Sequence, residues 1–330
     1  MGPHFKKAAV ALLLIFIAAF LAVYGWRNGD TATSAKSTDK KNASANPVDA
    51  TLSGGAGKTD IAGEHASQST SSYQLPPIEM PINETFDQLK LASDKGEVKA
   101  TCRLALELIR CQFSLSRDEK KLEAALSEEA PPEASRETQN YRDQAALADY
   151  QVFQACKKIT GKKSVDAVAL LEKSANQHQL DAMVVWASGL WIEARYGYST
   201  AYLQDPAFDR WRASAVPMMN AAMQRGSLDA AAELWLAYKY DSGPLFRGLV
   251  RNDAKQAYIH LLLTGLILNK PRTPPPGMTT ADILDAQQTA HKMFQEWYGG
   301  IVTEEQNITS ARDSVMHAGD EPHDFCNGSP

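Results

Sequence analysis

One five-position pattern occurs three times in this chain, and it constrains the fold more than any other feature. Leu89, Gly96, Val98, Ala100 and Leu104 stand at −7, 0, +2, +4 and +8 relative to Gly96. Met219, Gly226, Leu228, Ala230 and Leu234 repeat those offsets, and so do Leu171, His178, Leu180, Ala182 and Trp186, with His in place of Gly. An apolar residue closing one helix, a glycine in the left-handed turn and a small alanine where the next helix packs describe a helix–turn–helix hairpin. The +4 and +8 positions fall on one face of the second helix. No stretch alternates apolar and polar residues over a strand length, so the chain is expected to be all-α.

The third copy continues through Leu236-Ala237-Tyr238, Gly243, Leu249-Val250 and Asp253 to Ala257-Tyr258. In this it resembles the Sel-one-like repeat, a relative of the tetratricopeptide repeat. Leu91-Ala92, Gly96, Ala100 and Leu104-Ala105 match in the same way, and Ala175 to Ala187 gives a more divergent copy. The resemblance covers residues 82–298. It implies an irregular α-solenoid that presents a groove to protein or peptide ligands, acts as an adaptor or scaffold, and carries no shared catalytic residues. The turns are spaced 82 and 48 residues apart, against about 40 for a regular array of this kind.

Ahead of the repeats lies a different kind of sequence. Lys6 and Lys7 precede an uncharged, largely apolar run from Ala8 to Trp26, nineteen residues closed by Arg27. As a helix it would rise about 28 Å, close to the roughly 30 Å hydrocarbon core of a bilayer. Tyr24 and Trp26 would sit at the headgroup level. The expectation is a cytoplasmic segment 1–7, a transmembrane anchor 8–26 in the inner membrane and a periplasmic body. The alternative is a cleaved signal and secretion to the periplasm, against which stand the run's length and the absence of a nearby Ala-x-Ala site. Residues 27–75 are Ser, Thr, Ala, Gly, Lys and Asp with few large apolar residues, a flexible linker reaching on the order of 40 Å. A helical-repeat domain over 76–300 and a short helix with a flexible tail over 301–330 complete the expected layout.

Several punctuation marks place the helices. Ser116-x-x-Glu119 and Thr303-x-x-Gln306 have the form of capping boxes, and Asp205-Pro206 sets a capping carboxylate before a first-turn proline. Breaks are expected at Pro131-Pro132, at Gly243-Pro244 and across Pro271 to Gly277, and a kink at Pro217. Cys102, Cys111 and Cys156 fall on helices expected to be neighbours. One pair among them could close in an oxidising compartment, leaving the third for Cys326 or free, and the sequence leaves the connectivity open.

The net charge of −5 and the alternation of Lys/Arg with Asp/Glu give no basic stripe, which argues against a nucleic-acid partner. Gly54 to Thr59 superficially resembles a phosphate loop, but the leading glycine is replaced by Leu52 and no strand precedes it. Gly197 to Ala201 has the outline of a nucleophile elbow without its strand or its closing glycine. The histidines lack spaced partners, and His317, His323 and Cys326 fit no closed zinc pattern. No catalytic residue, cofactor or metal is therefore expected. Trp186 and Trp235 are assigned to the inter-hairpin core. The candidate contact surface is the loop that gathers Trp191, Arg195, Tyr196, Tyr198 and Tyr202, because aromatics beside arginine are common interface chemistry. The expected partners are other envelope proteins. Alternatives are a peptide or cell-wall fragment held in the groove, or an envelope enzyme with an unrecognised site.

Overall fold

The computed structural model describes residues 73–127, 135–162, 165–240, 244–303, 310–316 and 325–327. The apolar run 8–26, the linker up to residue 72, the Pro131-Pro132 break and residues 304–306 of the Thr303 capping box lie outside the described residues. Among those described there is no strand, and no helix is long and apolar enough to cross a membrane.

Twelve α-helices are described: α1 (Ile82–Asp94), α2 (Val98–Leu115), α3 (Glu119–Ser127), α4 (Arg136–Ile159), α5 (Ala167–Asn176), α6 (Leu180–Ser188), α7 (Leu190–Tyr196), α8 (Pro206–Gln224), α9 (Leu228–Lys239), α10 (Ala254–Ile267), α11 (Thr280–Tyr298) and α12 (Ala311–Met316). Single 3-10 turns at Thr200–Gln204 and Leu245–Leu249 complete the set.

The three pattern copies are three hairpins, α1/α2, α5/α6 and α8/α9, and their turns share one geometry. Gly96 and Gly226 both have φ of 90°, and His178 has φ of 63°. At each turn the N–H after the left-handed residue bonds six-to-one across the helix end: Glu97 to Ala92, Gln179 to Ser174, and Ser227 to Ala222, at 3.1–3.2 Å. This closes the orphan carbonyls of the first helix and aims the second back along it. The positions four residues after the turn, Ala100, Ala182 and Ala230, are all fully buried. A larger side chain there would hold the two helices apart.

The hairpins pack in sequence order, α2 on α5, α6 on α8, α9 on α10, with α10/α11 as a fourth pair. The uneven spacing of the turns has a simple source: α3 and α4 are inserted after the first hairpin, with α4 lying against α2 and α1 and α3 packed on α4, and α7 with its 3-10 turn follows the second. Ser and Asp caps open α4, α5, α8, α9 and α10, each side-chain oxygen accepting a first-turn N–H. Asp205-Pro206 caps α8 as expected, and α8 continues through Pro217. The Ser116–Glu119 capping box does not form. Ser116 ends α2 with its hydroxyl on the Phe113 carbonyl at 2.7 Å, and Asp118 caps α3 through the Lys120 N–H.

Two corrections concern the ends of the body. Leu75, assigned to the linker, is buried in the core. The tail, expected to be flexible, is held to the core at its described residues, where Ala311, Val315, Phe325 and Cys326 are all buried. Both cysteine pairs close: Cys111 of α2 with Cys156 of α4, and Cys102 of α2 with Cys326, at Cα separations of 5.3 and 5.9 Å.

Candidate functional site: an aromatic cleft between two helices and a proline segment

The α9–α10 junction leaves a cleft of about 560 Å³. One wall is the last turn of α9, with Trp235, Tyr238 and Lys239, and the floor is Ala257, Tyr258 and Leu261 of α10. The far wall is the segment Thr273–Pro276, which leads into α11. Proline fixes an extended backbone there, so this wall is stiff without being helical.

Gly265 allows that wall to stand where it does. After α10 ends, the chain turns back through Asn269, a left-handed residue, and passes directly over Gly265. A Cβ at Gly265 would meet the Lys270 carbonyl oxygen and the Arg272 Cγ at 2.6 Å, so only glycine admits this approach. The Lys270 N–H bonds the Gly265 carbonyl at 2.8 Å and fixes the crossing.

The polar groups of the cleft are few and placed at its rim. The Lys239 ammonium sits 5.2 Å from the Trp235 ring and 4.8 Å from that of Tyr240, within cation–π range of both. Asp253 caps α10 through one carboxylate oxygen, which accepts the Lys255 and Gln256 N–H groups at 2.9 and 3.0 Å. Its own N–H donates to the Tyr238 carbonyl at 3.0 Å and ties the two walls together. Burial, and after it the charge of Asp253, pushes the Tyr238 hydroxyl above its ordinary pKa, so it stays protonated. Behind Tyr238, His260 stacks on it at 5.4 Å with planes 7° apart. His260 is 2% exposed, and burial drops its pKa to about 4, so it is a neutral aromatic plate. The cleft thus offers the rings of Trp235 and Tyr238 above a floor that includes the buried Tyr258, with one cation and one anion at separate edges. Its ionisable lining groups are Lys239, Asp253, Tyr238 and Tyr258.

The expected contact loop is partly dismantled by the structure. Trp191 is fully buried and stacks on Trp186 at 5.4 Å, so it belongs to the core and not to a surface. The reason is the left-handed break at Gly189, which ends α6 and turns α7 back so that it packs on α2 of the first hairpin as well as on α6. Tyr196 also faces inward, its hydroxyl donating to Asp205 at 2.5 Å. Burial pushes the Asp205 carboxyl up, but the Tyr196 hydroxyl, the Ala207 N–H and the Arg195 and Arg210 charges outweigh it and hold its pKa below the usual range. Arg195 lies 3.6 Å from Asp205 and 5.7 Å from the Tyr196 ring. Tyr202 packs edge-on against Phe208 at 4.9 Å. Arg195 and Tyr198 remain exposed, and so does Leu203 of the following 3-10 turn.

Other expectations resolve at single residues. Trp235, assigned to the core, is half-buried and forms a cleft wall. Ser199 of the elbow-like stretch is a cap that accepts the Ala201 N–H at 3.2 Å. Cys326 is disulfide-bonded and so unavailable as a metal thiolate, while His317 and His323 lie outside the described residues. No group of three or more His, Cys, Asp or Glu among the described residues is placed to hold a metal ion. The chain matches no protein-family model, no curated protein and no solved structure.

Proposed function

We propose that this protein is a non-catalytic interaction module tethered to the inner membrane, with its helical body in the periplasm and a segment of a partner envelope protein seated in the Trp235 cleft. In this reading residues 8–26 are the anchor and the following polar stretch is a spacer. The hairpins form an irregular solenoid of the Sel-one-like kind. Support for the repeat comes from three turns of one geometry and from hairpins that pack in sequence order. Two closed cysteine pairs fit an oxidising compartment.

The cleft itself carries the functional reading. Aromatic faces rimmed by one cation and one anion are the composition of a binding hot spot. Exposed Tyr198 and Leu203 would extend the contact on the α7–α8 side.

Two measurements test this, the second on the full-length protein. Alkaline phosphatase fused after residue 75 should be active, and an inactive fusion would overturn the topology. Lys239→Glu, a surface change, should lower recovery of co-purifying envelope protein about tenfold, while Leu91→Ala on the exposed face of α1 should leave it unchanged. Equal recovery from both variants would remove the cleft from the account. Retention of cell-wall fragments in place of protein would redirect it to a glycan ligand.

A further inference from the structure

Two equivalent positions in the hairpins hold the same distant segment of the chain. Asp181 and Asp229 each stand three residues after their left-handed turn residue, in the first turn of a second helix. The Asp229 carboxylate accepts the Ala311 N–H at 2.8 Å, and the Asp181 carboxylate accepts the Cys326 N–H at 2.7 Å. Both donors are main-chain groups, and both belong to the C-terminal segment.

The segment's side chains are bound as well. Val315 and Phe325 are 0% and 1% exposed. Arg103 of α2 stands 5.6 Å from the Phe325 ring, and Arg117 donates to the Met316 carbonyl at 3.0 Å. Helix α12 packs on α2 and α6, and Cys326 is bonded to Cys102 in α2. Residues 310–316 and 325–327 therefore touch the second helices of three successive hairpins, α2, α6 and α9, as a strap. Main-chain N–H groups caught by fixed acceptors, together with pockets for an aromatic and a small apolar residue, are the means by which a groove holds a peptide.

We propose that this face is a peptide-binding groove occupied in cis by the strap, and that thiol–disulfide exchange at Cys102–Cys326 frees it for a partner segment of the same chemistry. That chemistry is a main-chain N–H over each carboxylate, a buried aliphatic residue and an aromatic residue near the far end. A dithiol attacks the Cys326 sulfur, Cys102 leaves as thiolate, and the second thiol displaces Cys326. The dithiol is oxidised to a disulfide by two electrons, and its two protons end on Cys102 and Cys326. Cys102 and Cys326 are 0% and 3% exposed, so exchange must follow fraying of the strap. Tethering favours the closed state, because an attached segment competes at millimolar effective concentration. The groove uses other residues than the Trp235 cleft, so either reading can fail without the other.

The test uses the full-length chain carrying Cys326→Ser, in which Cys102 is left as a thiol beneath the strap. The probe is a synthetic peptide of residues 310–327 with its cysteine activated as a mixed disulfide. Intact mass should show one adduct, at Cys102, forming at least tenfold faster than with a scrambled peptide. Phe325→Ala in the peptide or Asp181→Asn in the chain should slow it by a similar factor. A Cys102 that stays unreactive in the folded chain, or that takes the scrambled peptide equally fast, would overturn the groove. A second measurement needs no variant. In the wild-type chain, a dithiol should release hydrogen-exchange protection in Ala311–Met316 while α5 and α6 keep theirs. Simultaneous loss in strap and helices would make the strap a fixed part of the core and overturn the proposal.

Discussion

His178 carries a side chain through a turn that its two counterparts make with glycine. It is exposed, its φ is 63°, and its carbonyl accepts from Arg225 at 2.8 Å, so the backbone is held whatever residue stands there. A Cβ in the left-handed region costs about 1 kcal/mol, partly offset by the greater unfolded-state freedom of glycine. His178→Gly should therefore raise stability by up to about 1 kcal/mol in urea unfolding, and a loss would mean that the imidazole makes a contact worth more than the strain. His260 gives the opposite kind of case. Burial lowers its pKa from the ordinary 6.5 to about 4, and among the described residues its Nδ1 has no hydrogen-bond partner. Between those values the unfolded chain binds a proton that the folded chain refuses, so stability falls as pH drops from about 6.5 to about 4 and levels off below. The loss is on the order of 3 kcal/mol. His260→Phe, which keeps the stack on Tyr238, should remove that part of the slope; parallel pH profiles for the two proteins would contradict the assignment.

At the scale of elements, what the sequence made legible is whatever is decided locally. The three turns and the Asp205 cap follow from backbone geometry within a few residues, and they stand where the pattern puts them. The Ser116 capping box failed because Asp118, two residues on, offers a better acceptor once α2 has run to Leu115. Pairings over long separations were not legible. Cys111 and Cys156 are 45 residues apart, and nothing local tells them from the pair Cys102–Cys156. That bond ties α4 of the insertion to α2, and by the loop-entropy relation its removal should cost about 4 kcal/mol. Cys111→Ala with Cys156→Ala should lower the melting temperature and speed hydrogen exchange in α3 and α4 more than in α5 and α6. Uniform acceleration would mean that the insertion is not held by the bond.

Across the whole molecule, the candidate site was legible as residue types and not as a place. Trp191 and Trp235 look alike in sequence, since each sits in an apolar helical stretch. Their fates depend on what covers them: Trp186 stacks on Trp191, whereas the proline segment crosses α10 at Gly265 and stands off from Trp235 to leave the cleft open. A hydrophobic stripe records that a face is apolar, and only the path of the returning chain decides whether that face is filled. The binding reading therefore rests on the cleft more than on the repeat that builds it. The most direct measurement places a photo-reactive amino acid at position 239, on the cleft rim, and another at position 91, on the exposed face of α1, in the full-length protein in intact cells. The account predicts a discrete protein adduct from position 239 and none from position 91. No adduct from position 239, or the same adducts from both, would contradict it.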